Sequence, residues 1–84
     1  MMSYYITFRS VTYAQRGERV LRRGGVDPAL QRTPRWMEER GCGYCLRVRP
    51  GEALAALELL RAAGVPFSKI YGPNNSGKME ELPL

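Results

Sequence analysis

Histidine does not occur in this 84-residue chain, and its absence removes whole classes of chemistry. A Ser–His–acid triad, a Cys–His pair and an imidazole metal site are all excluded within one chain. Carboxylates are scarce as well. Glu18, Asp27, Glu38, Glu39, Glu52, Glu58, Glu80 and Glu81 are the complete set. Adjacent residues such as Glu38 and Glu39 do not frame a substrate as an acid–base pair does. Hydrolytic catalysis is therefore not expected; the chain reads as a non-enzyme with no cofactor. Long apolar runs are missing too, since none approaches the roughly 20 residues that span a bilayer. The start, Met1-Met2-Ser3-Tyr4-Tyr5, has no basic region followed by an apolar run, so no secretory signal is read there. The expected compartment is the cytosol, where thiols stay reduced. Cys42 and Cys45, the two cysteines, then read as reactive, ligating or incidental rather than as a structural staple.

What the chain does have is positive charge. The formal net charge is +5, and 11 of the 13 basic residues are arginine. That balance suits an anionic partner: RNA, a phosphate or an acidic protein surface. Arg16, Arg19 and Arg23 follow helical spacing, so a solvated helix face accounts for that group without any ligand.

The hydrophobic pattern organises the rest. Tyr4, Ile6 and Phe8 alternate with polar neighbours and predict a half-buried strand. Ser10 can cap a helix whose apolar stripe is Val11, Ala14, Gly17 and Leu21, and Gly24-Gly25 ends it. Val26 to Arg32 is a second, less apolar strand, with Pro28 pointing to a sheet edge. A polar connection, Thr33 to Gly41, holds Trp36. Tyr44 to Arg49 alternates again as a third strand. Pro50 then suits the first turn of a helix with Ala53, Leu54, Leu57, Leu60 and Ala63 on its apolar face. Gly64 stops that helix, Val65 to Tyr71 is a last strand, and residues 73–84 read as a flexible tail after a single domain of residues 1–72. Leu21-Arg22 through Gly25-Val26 matches Leu60-Arg61 through Gly64-Val65 at an offset of 39 residues. Two strand–helix–strand halves in series predict an α+β, ferredoxin-like βαββαβ fold, an antiparallel sheet with both helices on one face. The other face is open, and such domains usually bind there.

Three motifs could carry chemistry. In Gly41-Cys42-Gly43-Tyr44-Cys45, glycines on both sides of Cys42 let the backbone bend and expose the sulfur. Arg35, Arg40 and Arg47 are near in sequence and, where near in space, favour a thiolate, the form that attacks persulfides and disulfides. Both cysteines also fit as small hydrophobes, and inside a strand that reading is preferred for Cys45. A Cys42–Cys45 disulfide requires Cys42 to lie outside the regular strand, because strand residues three apart point to opposite faces. A zinc site would need four cysteines from two chains. Gly72-Pro73-Asn74-Asn75-Ser76-Gly77-Lys78 has the look of a phosphate-binding loop. Met79 stands where a Ser or Thr is required, and no room remains for the helix behind the phosphate. Finally, Arg40 to Cys45 matches part of the RNP1 pattern of RNA-recognition motifs. RNP1 register would bury Gly43, Cys45 and Arg47, whereas the hydrophobic pattern buries Tyr44, Leu46 and Val48, so nucleic acid is disfavoured as a partner.

These pieces, in this order, resemble the selenium/sulfur carrier protein-like family. The features are Tyr5-Ile6-Thr7-Phe8-Arg9-Ser10, Thr33-Pro34-Arg35, Cys42-Gly43 leading into Leu46-Arg47-Val48, Ala56-Leu57-Glu58-Leu59-Leu60, Ala63-Gly64-Val65 and Ile70-Tyr71. The resemblance covers about residues 4 to 71. It implies a ferredoxin-like fold and handling of sulfane sulfur or selenium, with Cys42 at the family's characteristic cysteine. Cys45 departs from the family, where a small residue such as alanine usually stands, and the strand register would put it on the open face with Arg47. The expected function is thus a sulfur or selenium (persulfide) carrier using Cys42. Gly41, Gly43, Arg35, Arg40, Arg47 and Cys45 would be accessory to it, and a cysteine desulfurase or another selenium-metabolism protein would be the partner. A homo-oligomer is compatible with this reading. The alternative is a non-catalytic binding or regulatory module that contacts an anionic partner through the open sheet face.

Overall fold

The computed structural model of the protein describes residues 3–34 and 43–83. The first strand, β1, spans Tyr4–Thr7. Ile6 and Phe8 are buried at 0% and 3% exposure, as the alternation requires, while Tyr5 and Thr7 fall on the opposite face. Ser10 caps the helix α1, Val11–Arg23: its backbone is extended and its Oγ accepts from Tyr13 N at 3.2 Å. Ala14, Gly17 and Leu21 form the buried stripe of α1. Val11, expected on that stripe, is 37% exposed, because it opens the first turn before the helix has settled on the sheet. Gly17 lets the helix approach closely. A Cβ there would lie 3.0 Å from Phe8 Cζ, 3.2 Å from Leu46 Cδ1 and 3.2 Å from Leu60 Cδ2.

The second strand, β2, is Ala29–Arg32 and lies at an edge of the sheet, and Pro28, which cannot donate to a ladder, stands just before it. Next come β3, Tyr44–Val48, and a 3-10 turn at Pro50–Glu52. The helix α2 is Ala53–Ala62, burying Ala53, Ala56 and Leu60. Leu57 and Leu59 pack against this core from its edge. Leu54, expected to face inward, is 69% exposed. Once the 3-10 turn has aligned Ala53 with the core, the next residue is rotated about 100° away from it. Ala63 is likewise outside, at the helix C-cap.

The repeat at offset 39 is a repeat of helix endings. Val26 N donates to Leu21 O at 2.9 Å and Gly25 N to Arg22 O at 3.2 Å; in the second half Val65 N donates to Leu60 O at 3.0 Å and Gly64 N to Arg61 O at 3.1 Å. Both are Schellman caps, with Gly25 at φ +89° and Gly64 at φ +70°. The valine after each glycine is buried, at 5% and 3% exposure. Each cap therefore turns the chain and starts its descent to the sheet in one step.

The sheet is antiparallel throughout, with five strands in the order β2-β3-β1-β4-β5, where β4 is Ile70–Pro73 and β5 is Met79–Glu81. With two helices beside it, the protein is α+β. Its element order departs from the expected βαββαβ in two places. A 3-10 turn intervenes between β3 and α2, and a further strand follows β4. That strand corrects the reading of residues 73–84 as a flexible tail. The sheet extends through β5, Leu82 N donates to Ile70 O at 2.8 Å, and the Leu82 side chain packs against the core. One cluster holds Ile6, Leu46, Val48 and Ile70 from the sheet together with Ala14, Leu21, Ala56 and Leu60 from the helices.

No atom lies within 4 Å of a Cβ added at Gly25 or Gly64, so the cost of a side chain there is conformational only. Gly25→Ala and Gly64→Ala should each lose about 1 kcal/mol in urea unfolding, and the double variant about twice that. Stability unchanged in either single variant would rule out the left-handed cap. Ending the chain at Pro73 should cost about 2 kcal/mol, chiefly from exposing the surface that Leu82 covers; an unaltered unfolding midpoint would return these residues to a tail.

Candidate functional site

The best-supported site begins where β3 begins. The last ladder pair between β2 and β3 is Arg32↔Tyr44, and one step further Thr33 N donates to Gly43 O at 2.6 Å. This bond closes the β2–β3 connection at its base. Gly43 is buried at φ +71°, a conformation that side chains rarely adopt. The glycine after Cys42 thus bends the chain as its presence there implied. Arg35, Arg40, Gly41 and Cys42 themselves lie outside the described residues, as does Trp36. Thr33, 9% exposed, was not singled out in the sequence as a site residue, although it opens the Thr33-Pro34-Arg35 piece.

Two rows of side chains cross the sheet face that points away from the helices. Ala29, Arg47, Tyr5, Tyr71 and Glu81 form one, and Gln31, Cys45 and Thr7 the other. The register therefore puts Cys45 on the same face as Arg47, as expected. Exposure separates them. Arg47 is exposed, whereas Cys45 is 0% exposed. Cys45 also stands apart from the helix-side core cluster, as does the buried Tyr71. An open face whose every residue is available for binding is not what this sheet has.

The β3 entry shares its end of the sheet with the exit of β1 and the approach to β4. Ser68 N donates to Thr7 O and Thr7 N to Lys69 O, both at 2.8 Å. Thr7 Oγ1 accepts from Lys69 N at 3.1 Å and lies 3.3 Å from Lys69 O. Arg32 sits with its guanidinium 5.4 Å from the Tyr44 ring centroid. Arg32 thus stands on β2 beside the entry of β3, and Lys69, just before β4 at the same end of the sheet, is paired: its Nζ is 3.4 Å from Glu81.

The other two motifs resolve cleanly. Leu46 and Val48 are buried among helix residues, with Tyr44 packed beside them, so β3 has the register that opposes RNP1 recognition. In the segment Gly72 to Lys78, Gly72 and Pro73 end β4 and Asn74 to Lys78 form the hairpin connection to β5. Asn74 Oδ1 accepts from Ser76 N at 2.8 Å and Lys78 N at 3.0 Å, so amides that a phosphate would need are already used. Among the described residues no three His, Cys, Asp or Glu side chains gather as a metal site. No helix there is long and apolar enough to cross a membrane.

Comparison with known proteins adds one finding. The family model described as "Putative Se/S carrier protein-like" matches residues 3–72. No curated protein and no solved structure matches the chain.

The burial of Cys45 can be read directly. With Cys42→Ser in place, Cys45 is the remaining thiol; it should resist the water-soluble reagent DTNB in the native protein and react fully in urea. Fast native labelling would contradict the packing described.

Proposed function

The chain belongs to the Se/S carrier protein-like family, and from that premise we propose that it carries sulfur or selenium as a persulfide, or its selenium analogue, on Cys42. The observation that carries the reading is the match over residues 3–72, which includes Cys42. The geometry around it is compatible. A glycine in a left-handed conformation follows Cys42, and the hydrogen bond from Thr33 to Gly43 ties the connection to a rigid strand pair. We read the strands β2-β3-β1-β4 with their helices as a ferredoxin-like frame to which β5 adds an edge.

The transfer needs no outside oxidant. Cys42 thiolate attacks the outer sulfur of a donor persulfide, R–S–SH. The donor S–S bond breaks, R–S⁻ leaves, and Cys42–S–SH forms with the same sulfane sulfur. The proteinaceous donor class is a cysteine desulfurase. An acceptor thiolate removes the sulfur by the same exchange in reverse, so the protein is a carrier and not a catalyst. Arg35 and Arg40 would steady the persulfide anion, and Gly41 with Gly43 would give its sulfur room; Arg47, four residues along β3 from Gly43 and paired with Tyr5 and Ala29, is assigned no part. The reading requires a compartment in which Cys42 is kept as a free thiol, as the cytosol keeps it. Cys45, at 0% exposure, is assigned no transfer step.

Incubation with a cysteine desulfurase and cysteine, followed by intact mass measurement, tests the proposal. The parent and Cys45→Ala should each gain a sulfur atom that dithiothreitol removes, and Cys42→Ser should gain none. Equal gain by Cys42→Ser would end the proposal.

A further inference from the structure

One face of the molecule is lined by arginines that meet no carboxylate among the described residues. Two grooves run along the seam between α1 and the end of α2. The larger, about 360 Å³, is lined by Arg9, Tyr13, Pro66, Phe67 and Ser68. The smaller, about 120 Å³, is lined by Arg16, Arg19, Val20, Arg23, Ala63 and Val65. They adjoin through Arg16, whose guanidinium is 6.0 Å from the centroid of the Tyr13 ring, and through the Val65-Pro66 backbone. On the far side Arg61 stands 5.8 Å from the centroid of the Phe67 ring.

Charge is segregated around this seam. Glu18 and Asp27 are both engaged by Arg22, at 3.3 Å and 2.9 Å, and Glu81 by Lys69 at 3.4 Å. Among the described residues no carboxylate lines either groove. Arg9, Arg16, Arg19, Arg23 and Arg61 make no ion pair among the described residues. Helical spacing explains why Arg16, Arg19 and Arg23 share a face. It does not explain why that face, unlike the Arg22 side of the same helix, meets no acid among the described residues and is folded over a pair of half-buried rings.

We propose that this seam binds a nucleoside phosphate, at a site separate from Cys42. Two ligand features follow from two groove chemistries. The guanidiniums of Arg16, Arg19 and Arg23 around the smaller groove match phosphate oxygens, which arginine holds by paired N–H donors. Tyr13 and Phe67 in the larger groove offer rings against which a planar base stacks, with the Ser68 hydroxyl at the same rim. The larger groove lies within the range of small-molecule pockets, about 300–1,000 Å³. An acidic peptide would satisfy the arginines and leave the rings unused. A long single strand would need a succession of base platforms, and the seam has only the Tyr13 and Phe67 rings of one groove among the described residues.

Titration of the ¹⁵N-labelled protein with ATP, followed by NMR, tests this, with inorganic triphosphate and an oligothymidylate as parallel probes. ATP should give saturable shifts at the amides of Arg9, Tyr13, Arg16, Phe67 and Ser68, weaker at high salt. Arg16→Glu changes an exposed residue, and its spectrum reports whether the fold is kept; it should weaken ATP binding about tenfold or more. Tyr13→Leu should weaken ATP and leave inorganic triphosphate unchanged. The assignment is overturned by an absence of saturable shifts, by shifts confined to the open sheet face, or by triphosphate binding as tightly as ATP. Oligothymidylate binding while ATP does not would overturn it in favour of a nucleic-acid surface.

Discussion

Three side chains from three elements, Phe8 after β1, Leu46 in β3 and Leu60 in α2, converge within 3.0–3.2 Å of the place where a Cβ of residue 17 would stand. Only a hydrogen atom fits there without displacement, and α1 consequently lies close on the sheet. That approach fixes the rotation of the helix. Leu21 is pressed fully inward, the Schellman cap at Gly25 follows at a set height, and Val26 drops into the core. The same rotation turns Arg16, Arg19 and Arg23 outward to the seam with α2. A single missing side chain therefore connects the core of the protein with the charged surface on its other side.

The frame was legible in the sequence because the terms that build it are local. Alternation in Tyr4 to Phe8 and Tyr44 to Val48, the Ser10 cap and the Gly25 and Gly64 caps each depend on a few adjacent residues. The repeat of Leu21 to Val26 in Leu60 to Val65, identical at four of six positions, reports the same type of helix ending twice. What escaped depends on tertiary contact. Met79 to Glu81 has no strand pattern of its own. It becomes a strand because Asn74 closes a hairpin with its side-chain oxygen and Leu82 finds the core. Leu54 reads as apolar and sits in water because Pro50 and the 3-10 turn set the phase of α2.

The candidate site was legible only in part, for a similar reason. Register put Cys45 on the face with Arg47, and it is there; burial is a property of everything around a residue and could not be read from alternation. Thr33, whose amide closes the β2–β3 connection onto Gly43, carries no chemical signal in a sequence. The arginines of the α1 face were visible as a helical spacing with Tyr13 on the same helix, but Phe67 joins them only through the connection from α2 to β4, distant in the chain.

The account turns on a division between the two cysteines: Cys42 takes the sulfur, and Cys45 is part of the sheet. The most direct measurement locates the atom in the unaltered protein. After loading by a cysteine desulfurase, alkylation and trypsin digestion, the peptide Gly41–Arg47 contains both cysteines and can be fragmented to assign the added sulfur. The account predicts the extra sulfur between Cys42 and its alkyl group, with Cys45 carrying none. Extra sulfur on Cys45, or on neither residue, would contradict it.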